Sequence, residues 1–366
     1  MTSKERVLAA ANHRATERIP ITFDAEKEVY AALHDRLGTR SKEELFDRLN
    51  VDTWMIGPRT PEAPPEARPE KGGTMWGYRT KVTAYSGGTY NELVYSPLAG
   101  KNELSDIRNH PWPGPDALTF SHCPAEAAAH ADRAVIGTFT WGAYFIATFV
   151  RGMEDLMMDF AIRPKYADCL IRTIAERTLM FVDGLLESAG DGIDIVYMAD
   201  DYCSQLAPMF SPALFRQLII PYLRATADRV HARDKKLLLH VCGAVRPLLP
   251  MILDAGVDML EPIQTRAAGM DPAELKREFG RRLCFYGGVD LQQTLVRGTP
   301  QAVADEVKRL IDILGEGGGY IIGPGHTYIQ VDSPLENILA MYETAAGYRR
   351  RGQGNSASGL DGALRL

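Results

Sequence analysis

The chain has 366 residues, of which 45% are hydrophobic and 24% are charged, and its formal net charge at pH 7 is −6. This length and apolar content suffice to bury the core of one large domain or of two ordinary ones. The mildly acidic, well-mixed charge argues against a nucleic-acid or polyanion surface, so small-molecule chemistry is the better expectation.

The cysteines and the apolar runs indicate where the protein works. Five scattered cysteines do not form the pattern of a disulfide framework, which favours a reducing cytoplasm. No run of about 18 apolar residues, the length that crosses a bilayer, occurs in the sequence. We therefore expect a cytoplasmic protein without membrane or nucleic-acid partners. Residues 349–366 are rich in Gly, Ser and Arg and are predicted to form a flexible tail.

Short apolar runs of strand length alternate with longer segments of helical apolar spacing, such as 163–190 and 299–318. The predicted strands, in chain order, are 19–24, 51–57, 134–140, 193–201, 236–243, 258–264, 282–290 and 320–326. Eight such units over about 300 residues favour an α/β fold of the (β/α)8 TIM-barrel type over an open doubly wound sheet. We predict a single barrel domain over residues 1–348.

Residues 60–118 interrupt this alternation and are predicted to form an insertion after the second strand. The segment begins as a Pro- and Glu-rich loop, continues as a hairpin pattern around Gly87 and Gly88, and ends in the Pro-rich connector 110–116. We expect the insertion to lie at the barrel mouth.

Polar side chains follow several predicted strands at the end where barrel enzymes carry their active sites. They are Asp200, Asp201, His240, Cys242, Glu261, Gln264, Asp290 and His326. Any one of them is also consistent with the ordinary ending of a strand, because Asp and Gly favour turns.

The adjacent Asp200 and Asp201 cannot face the same side of a strand. We expect one carboxylate to point into the barrel mouth, as a general acid or base or as a partner for a cationic substrate group. The other is expected to point to a loop or a helix N-terminus.

His240 and Cys242 end the fifth predicted strand and are separated by one residue. Alternate strand residues point to the same side, so an imidazole and a thiolate would lie close enough to share Zn²⁺. A catalytic zinc site needs a third protein ligand, and His326 is the leading candidate. The oxygen alternatives are Asp200, Asp201 and Glu261, and Glu261 joins the two aspartates as a candidate catalytic residue. The competing interpretation is a buried histidine beside a structural cysteine.

Several aromatic residues fall near strand ends and are candidates for stacking on a substrate, although plain packing explains them equally well. They are Tyr144, Phe145, Tyr197, Tyr202 and Tyr328. Gln264 and Asp290 complete the candidate substrate-binding set. Neither a P-loop nor a dinucleotide fingerprint occurs, which argues against nucleotide binding.

Taken in order, blocks of the chain between residues 4 and 345 resemble the uroporphyrinogen decarboxylase superfamily, and within it the zinc-dependent, corrinoid-linked methyltransferase branch. The resemblance is carried by residues 5–21, 86–100, 110–116, 195–224, 236–245, 258–307 and 317–343. It implies a (β/α)8 barrel. True porphyrinogen decarboxylases carry an arginine-rich N-terminal signature for substrate carboxylates, and residues 21–36 lack those arginines, which weakens the decarboxylase interpretation.

The methyltransferase branch binds zinc through an H-x-C pair and a later cysteine, so the resemblance implies that His240 and Cys242 are ligands. His326 stands at the place of the later cysteine. A neutral imidazole in place of a thiolate makes the site less negative and a stronger Lewis acid. This change is compatible with methyl ethers, methylamines or tetrahydrofolate as substrates and puts a thiol acceptor of the coenzyme M type in doubt.

The preferred hypothesis is therefore a zinc methyltransferase in which the metal stabilises a departing alkoxide while cob(I)alamin accepts the methyl group. The sequence lacks a D-x-H-x-x-G element, so we expect the corrinoid on a separate protein. A homodimer is compatible with the family. The alternatives are a metal-independent lyase that decarboxylates a carboxylic acid through Asp200 or Asp201, and a non-catalytic binding module.

Overall fold

Parallel strands form the centre of the molecule. The computed structural model describes residues 1–61, 72–85 and 88–350. Its strands are β1 Thr53–Ile56, β2 Arg79–Tyr85, β3 Gly88–Tyr95, β4 Ala134–Trp141, β5 Ile195–Ala199, β6 Lys236–His240, β7 Met259–Glu261, β8 Cys284–Tyr286 and β9 Tyr320–Ile321. One parallel sheet has the order β1, β4, β5, β6, β7, β8 and β9, while β2 and β3 pair antiparallel.

Helices connect the parallel strands, as parallel pairing requires. They are α1 Ser3–Ala11, α2 Lys27–Leu37, α3 Lys42–Arg48, α4 Leu104–Arg108, α5 Cys123–Ala129, α6 Ala143–Arg151, α7 Met153–Ile162, α8 Pro164–Ala189, α9 Pro212–Leu218, α10 Ile220–His231, α11 Leu249–Asp254, α12 Pro272–Phe279, α13 Thr294–Arg297, α14 Pro300–Leu314 and α15 Leu335–Gly347. Short 3-10 turns cover Pro115–Ala117, Gly190–Gly192 and Arg246–Leu248. Within the described ranges, no helix combines the length and apolarity that a bilayer crossing requires.

Seven of the eight predicted strands are present in the structure, mostly shorter than predicted, and the two long predicted helices correspond to α8 and α14. The late strands end early where glycines leave the extended conformation. Gly287 and Gly288, with φ of 85° and 118°, follow β8 directly. Such φ values favour glycine because it has no Cβ.

The first predicted strand, 19–24, forms an isolated parallel bridge rather than a regular strand. The Thr22 N–H donates to Ile322 O at 2.9 Å, and the Ile322 N–H donates to Pro20 O at 2.8 Å. On the other side, the Asp52 N–H donates to Ile21 O at 2.8 Å, just before β1. This segment therefore bonds to residues at both edges of the sheet. The sheet is curled, and the α/β fold is consistent with a TIM-type barrel.

Two apolar cores fill this architecture. The larger core lies between the sheet and the helices, and the smaller one takes side chains from the other face of the strands, among them Ile136, Leu238 and Ile321. Val7 and Ala10 of α1 belong to the smaller core. Since both faces of the strands are covered, β5 is buried along its whole length.

The hairpin β2–β3 occupies part of the predicted insertion. Residues 62–71 and 86–87 of the predicted insertion lie outside the described residues, as does the predicted tail from residue 351 onwards. The location of the insertion at the barrel mouth stays a prediction.

A buried ion network joins the bridge segment to β1. Asp52 is fully buried, and its carboxylate accepts hydrogen bonds from Arg6 at 2.6 Å and from Arg18 at 2.6 and 2.9 Å. It also accepts the Ile21 N–H at 2.8 Å. One carboxylate thus holds helix α1, the bridge segment and the start of β1 together.

We expect Asp52→Asn to lower the free energy of unfolding by about 3 kcal/mol, because Arg18 loses its charged partner in a largely buried position and Arg6 keeps only Glu17. Asp254→Asn is the matched control, since its partner Arg282 and Asp254 itself are mostly exposed, and its effect should stay below about 0.5 kcal/mol. Urea unfolding followed by circular dichroism measures both. Equal effects of the two substitutions would contradict this role of Asp52.

A candidate metal centre at the carboxyl ends of the strands

The register of three neighbouring strands brings the candidate ligands to one edge of the sheet. Ala199 of β5 is paired with His240 of β6, and His240 is paired with Glu261 of β7. Because the strands are parallel, the residues that follow Ala199 and His240 leave the sheet at the same end.

Asp201, His240 and Cys242 form a compact group at this edge, with one ligand atom from each lying within 4.8 Å of the others. The His240 Nε2 atom lies 3.4 Å from Cys242 Sγ and 3.5 Å from Asp201 Oδ1. The Cys242 N–H donates to Asp201 Oδ1 at 2.8 Å, which holds the carboxylate beside the thiol. The group therefore presents one oxygen, one nitrogen and one sulfur atom to a common point.

A second layer of side chains fixes the His240 ring. His240 Nδ1 is hydrogen bonded to Glu261 Oε2 and lies 3.1 Å from Thr327 Oγ1. Glu261 also accepts the Tyr197 hydroxyl at 3.2 Å and the Thr327 hydroxyl at 3.1 Å. When the Nδ1–H group donates a hydrogen bond to Glu261, Nε2 is the ring nitrogen that faces Asp201 and Cys242, and loss of the Nε2 proton would free its lone pair for a metal ion. A carboxylate behind a ligating histidine is the usual support of a protein metal site.

The electrostatics of the group suit a cation. Burial opposes ionisation of Asp201, but its contacts with the His240 ring and the Cys242 N–H hold the carboxyl pKa below its usual value. Burial raises the pKa of the Cys242 thiol, although His240 acts in the opposite direction. A bound metal ion would favour the thiolate.

The donor set fits zinc. Zn²⁺ binds imidazole nitrogen, thiolate sulfur and carboxylate oxygen, and catalytic sites use three protein ligands with one position open. Hard ions such as Mg²⁺ prefer all-oxygen sites, which a set with one thiolate and one imidazole does not provide.

His326, the third ligand predicted from the sequence, lies beside this group. Its ring is perpendicular to that of His240, with 6.0 Å between the ring centroids. The Tyr328 N–H donates to His326 Nδ1 at 3.3 Å, so Nε2 is the ring nitrogen that is left to act as a ligand. Asp201, one of the oxygen alternatives, lies closer to the His240–Cys242 pair. Coordination by His326 stays a prediction.

Asp200 and Asp201 point in different directions, as their adjacency predicted. Asp200 is buried, and its carboxylate accepts the N–H groups of Tyr144 at 3.2 Å and Phe145 at 2.7 Å, at the start of α6. Burial raises the pKa of Asp200 to about 7. This side chain caps helix α6 and does not face the Asp201, His240 and Cys242 group.

The predicted substrate-binding residues fall into two sets. Tyr144 and Tyr202 are buried in an aromatic cluster with Phe210, with ring centroids 5.0 to 6.5 Å apart, so the side chains around them cover both rings. Tyr328 is 40% exposed and available to a ligand.

Gln264 and Asp290 line a groove beside His326. Gln264 Oε1 accepts the Gly243 N–H at 2.9 Å, immediately after Cys242. Asp290 forms an ion pair with Arg266 and accepts the Gln292 N–H at 2.8 Å. Gln264 therefore supports the loop that carries the thiol, while the Asp290 carboxylate already has several partners.

A cavity inside the sheet begins at this second layer. Its lining includes Glu261, Tyr197, His326 and Thr327 and, from the N-terminal part of the chain, residues 22–24 and Lys42. Sequence reasoning missed Asp24, Lys42 and Thr327. Asp24 ends a predicted strand and could have been found by the rule that found Asp200 and Asp290, whereas nothing in the sequence marks Lys42 or Thr327.

Comparison with known proteins places this site in a family. Residues 125–348 match the family described as Uroporphyrinogen decarboxylase (URO-D), and the chain belongs to that family. The resemblance seen in the sequence is thereby confirmed.

Curated relatives include methyltransferases and decarboxylases. A methylcobamide:CoM methyltransferase of Methanosarcina barkeri is 28% identical over 166 residues, which cover 45% of this chain and 44% of that protein. A methylated-thiol–coenzyme M methyltransferase of Methanosarcina mazei is 24% identical, covering 54% of this chain and 49% of that protein. The chloroplastic uroporphyrinogen decarboxylase of Zea mays is 24% identical over an alignment that covers 70% of this chain and 63% of that protein. The chain thus spans about half the length of the first two relatives.

A solved structure described as a methyltransferase from Methanosarcina mazei has the same fold. It superposes with a TM-score of 0.65 at 18% sequence identity and covers 94% of this chain and 98% of that chain.

Substitution of the two aspartates separates their roles. We expect Asp200→Ala to lower the free energy of unfolding by about 2 kcal/mol, because two helix N–H groups lose their acceptor, and to leave zinc binding unchanged. Asp201→Ala should have a small effect on stability and should weaken zinc binding. Urea unfolding and chelator competition measure the two properties. The opposite pattern would mean that Asp200, and not Asp201, belongs to the metal group.

Proposed function

We propose that the protein is a zinc-dependent methyltransferase that moves a methyl group between a small substrate and a corrinoid protein or a thiol or folate acceptor. The observation that carries this proposal is the grouping of Asp201, His240 and Cys242 at the carboxyl ends of the strands, with Glu261 behind the imidazole. The methylcobamide and methylated-thiol methyltransferases among the relatives support the same reaction class.

Bound zinc would supply Lewis acidity that stabilises negative charge on the atom that gains or loses the methyl group. The side chains of this protein would hold the ion and keep it in a defined place. Glu261 and Thr327 restrain His240 through Nδ1, and the Cys242 N–H restrains Asp201. Preorganised ligands need little rearrangement during the reaction.

The corrinoid is proposed to be carried by a separate protein. The relatives named as methylcobamide-dependent support the involvement of a corrinoid. A separate carrier must bring its cobalt to the carboxyl ends of the strands, where the metal group and the cavity meet. The small substrate would then bind between the carrier and the zinc ligands.

The decarboxylase alternative has weaker support. Relatives named uroporphyrinogen decarboxylase exist, but the N-terminal segment that lines the cavity contributes Asp24 where a substrate with many carboxylates would need cations. Asp200, one of the two carboxylates proposed to handle the proton, is directed at the α6 N-terminus.

Removal of the thiol tests the proposal directly. We expect Cys242→Ala to lose stoichiometric zinc and to reduce transfer of the methyl group from methylcobalamin to a thiol or folate acceptor by at least about 100-fold, because the ion loses its thiolate ligand. Cys169→Ala, on the outer helix α8, is the matched control and should keep both properties. Zinc is measured by mass spectrometry and the reaction by the cobalamin absorbance change. Unchanged activity of Cys242→Ala would rule the proposal out.

His326 is tested with two substitutions. If it is a ligand, His326→Ala should weaken zinc binding by about 10- to 100-fold, and His326→Cys, which restores the thiolate expected from the family, should keep it. His231→Ala is the control, since His231 pairs with Asp258 away from the site. Competition with a chromophoric chelator measures affinity. If His326→Ala binds zinc like the wild type, His326 is a neighbour and not a ligand.

A further inference from the structure

The cavity behind the metal group has an unusual charge pattern. Most of the polar side chains that line the cavity are hydrogen bonded to one another. The Thr22 hydroxyl lies 2.5 Å from the Tyr286 hydroxyl and accepts the Thr53 hydroxyl at 3.1 Å. Tyr197 is bonded to Glu261 on the side of the metal group. These groups therefore have little capacity left for a ligand.

Asp24 and Lys42 differ from the rest of the lining. Asp24 Oδ1 accepts the Ala25 N–H at 2.9 Å and the Tyr30 hydroxyl at 3.1 Å. Among the residues that the structure describes, Oδ2 has no hydrogen-bond donor. Burial raises the pKa of the Asp24 carboxyl, and the Ala25 N–H, the charge of Lys42 and the Tyr30 hydroxyl act in the opposite direction without cancelling this effect. A cation in the cavity would compensate it.

Lys42 is the matching cation. Its Nζ lies 5.0 Å from the Phe46 ring centroid and 4.7 Å from that of Trp54. Aromatic faces attract an ammonium group but do not neutralise it. In the described part of the chain, neither Lys42 nor Asp24 takes part in an ion pair within 4 Å. Two opposite charges thus line one cavity without pairing with each other.

The walls that carry these charges are rigid. Phe23 packs edge-to-face against Tyr30 at 5.1 Å and against Phe46 at 5.8 Å between ring centroids. These contacts fix the backbone on either side of Asp24 and the helix that carries Lys42. Charges on rigid walls that cannot collapse onto each other suit a ligand with complementary charges at its two ends.

We propose that this cavity binds a small zwitterion, with its ammonium group at Asp24 and its carboxylate at Lys42. Because the cavity is also lined by Glu261, His326 and Thr327, the bound compound would lie next to the metal group. Its assignment as the substrate rests on the proposed methyl transfer, whereas its binding does not. Among the candidate substrates, this favours an N-methylated amino acid over a neutral methyl ether.

Calorimetry on the wild-type protein tests the proposal with three probes of similar shape. N,N-dimethylglycine carries both charges, 3-methylbutanoate replaces the ammonium nitrogen by carbon, and N,N-dimethylethylamine lacks the carboxylate. We expect dimethylglycine to bind at least about tenfold more tightly than either of the other probes. Equal or tighter binding of 3-methylbutanoate overturns the proposal, and so does the absence of dimethylglycine binding at millimolar concentration.

Substitutions test which residue binds each end of the ligand. Asp24→Asn should weaken the binding of dimethylglycine by about tenfold and leave the binding of 3-methylbutanoate unchanged. Lys42→Gln should weaken the binding of both carboxylate probes and leave the binding of the amine unchanged. Asp35→Asn and Lys27→Gln, on the exposed face of the neighbouring helix, are matched controls. Circular dichroism verifies that each variant is folded. If Asp24→Asn weakens all probes equally, the carboxylate does not recognise the ammonium and the proposal is wrong.

A turnover assay separates this inference from the proposed function. If dimethylglycine binds as expected but transfers no methyl group to cob(I)alamin, the cavity assignment stands and the compound is not a methyl donor. If methyl transfer proceeds from another substrate while no zwitterion binds, the proposed function stands and the cavity assignment fails.

Discussion

The hydrogen bond between His240 Nδ1 and Glu261 is the interaction on which the candidate site depends. It joins two adjacent strands at their paired ends, and it determines which ring nitrogen of His240 is free. With Nδ1 engaged, Nε2 is the atom that meets Cys242 and Asp201. The same carboxylate holds Tyr197 and Thr327, so the metal group and the cavity behind it share one support.

The fold provides this arrangement through register. His240 and Glu261 are the last ladder pair of β6 and β7, and Asp201 and Cys242 lie two residues beyond the last paired residues of β5 and β6, so the curled sheet makes these side chains converge. The adjacent aspartates that follow β5 show the consequence, because Asp200 caps the N-terminus of α6 and Asp201 lies beside the thiol. A polar residue at a strand end can thus serve either the scaffold or the site, and side-chain direction decides which.

Much of this was predictable from the sequence, for definite physical reasons. Apolar runs bounded by glycine located seven strands, and the alternation of strand side chains placed His240 and Cys242 on one side. The first predicted strand, 19–24, is an isolated bridge in the structure. Its hydrogen-bond partners, Ile322 and Asp52, lie in distant parts of the chain. Partners such as Thr327 and Lys42 could not be predicted, since their contacts arise only from tertiary packing. Tyr144 and Tyr202, which were candidates for stacking on a substrate, are buried for the same reason, and that role stays a prediction.

The central claim is that one thiolate, one imidazole and one carboxylate of this chain bind the same zinc ion. X-ray absorption at the zinc edge of the loaded protein tests it most directly. We predict a single sulfur atom at about 2.3 Å from the zinc ion, together with nitrogen and oxygen atoms at about 2.0 to 2.2 Å from it. A shell without sulfur, or one with two sulfur atoms, would contradict it.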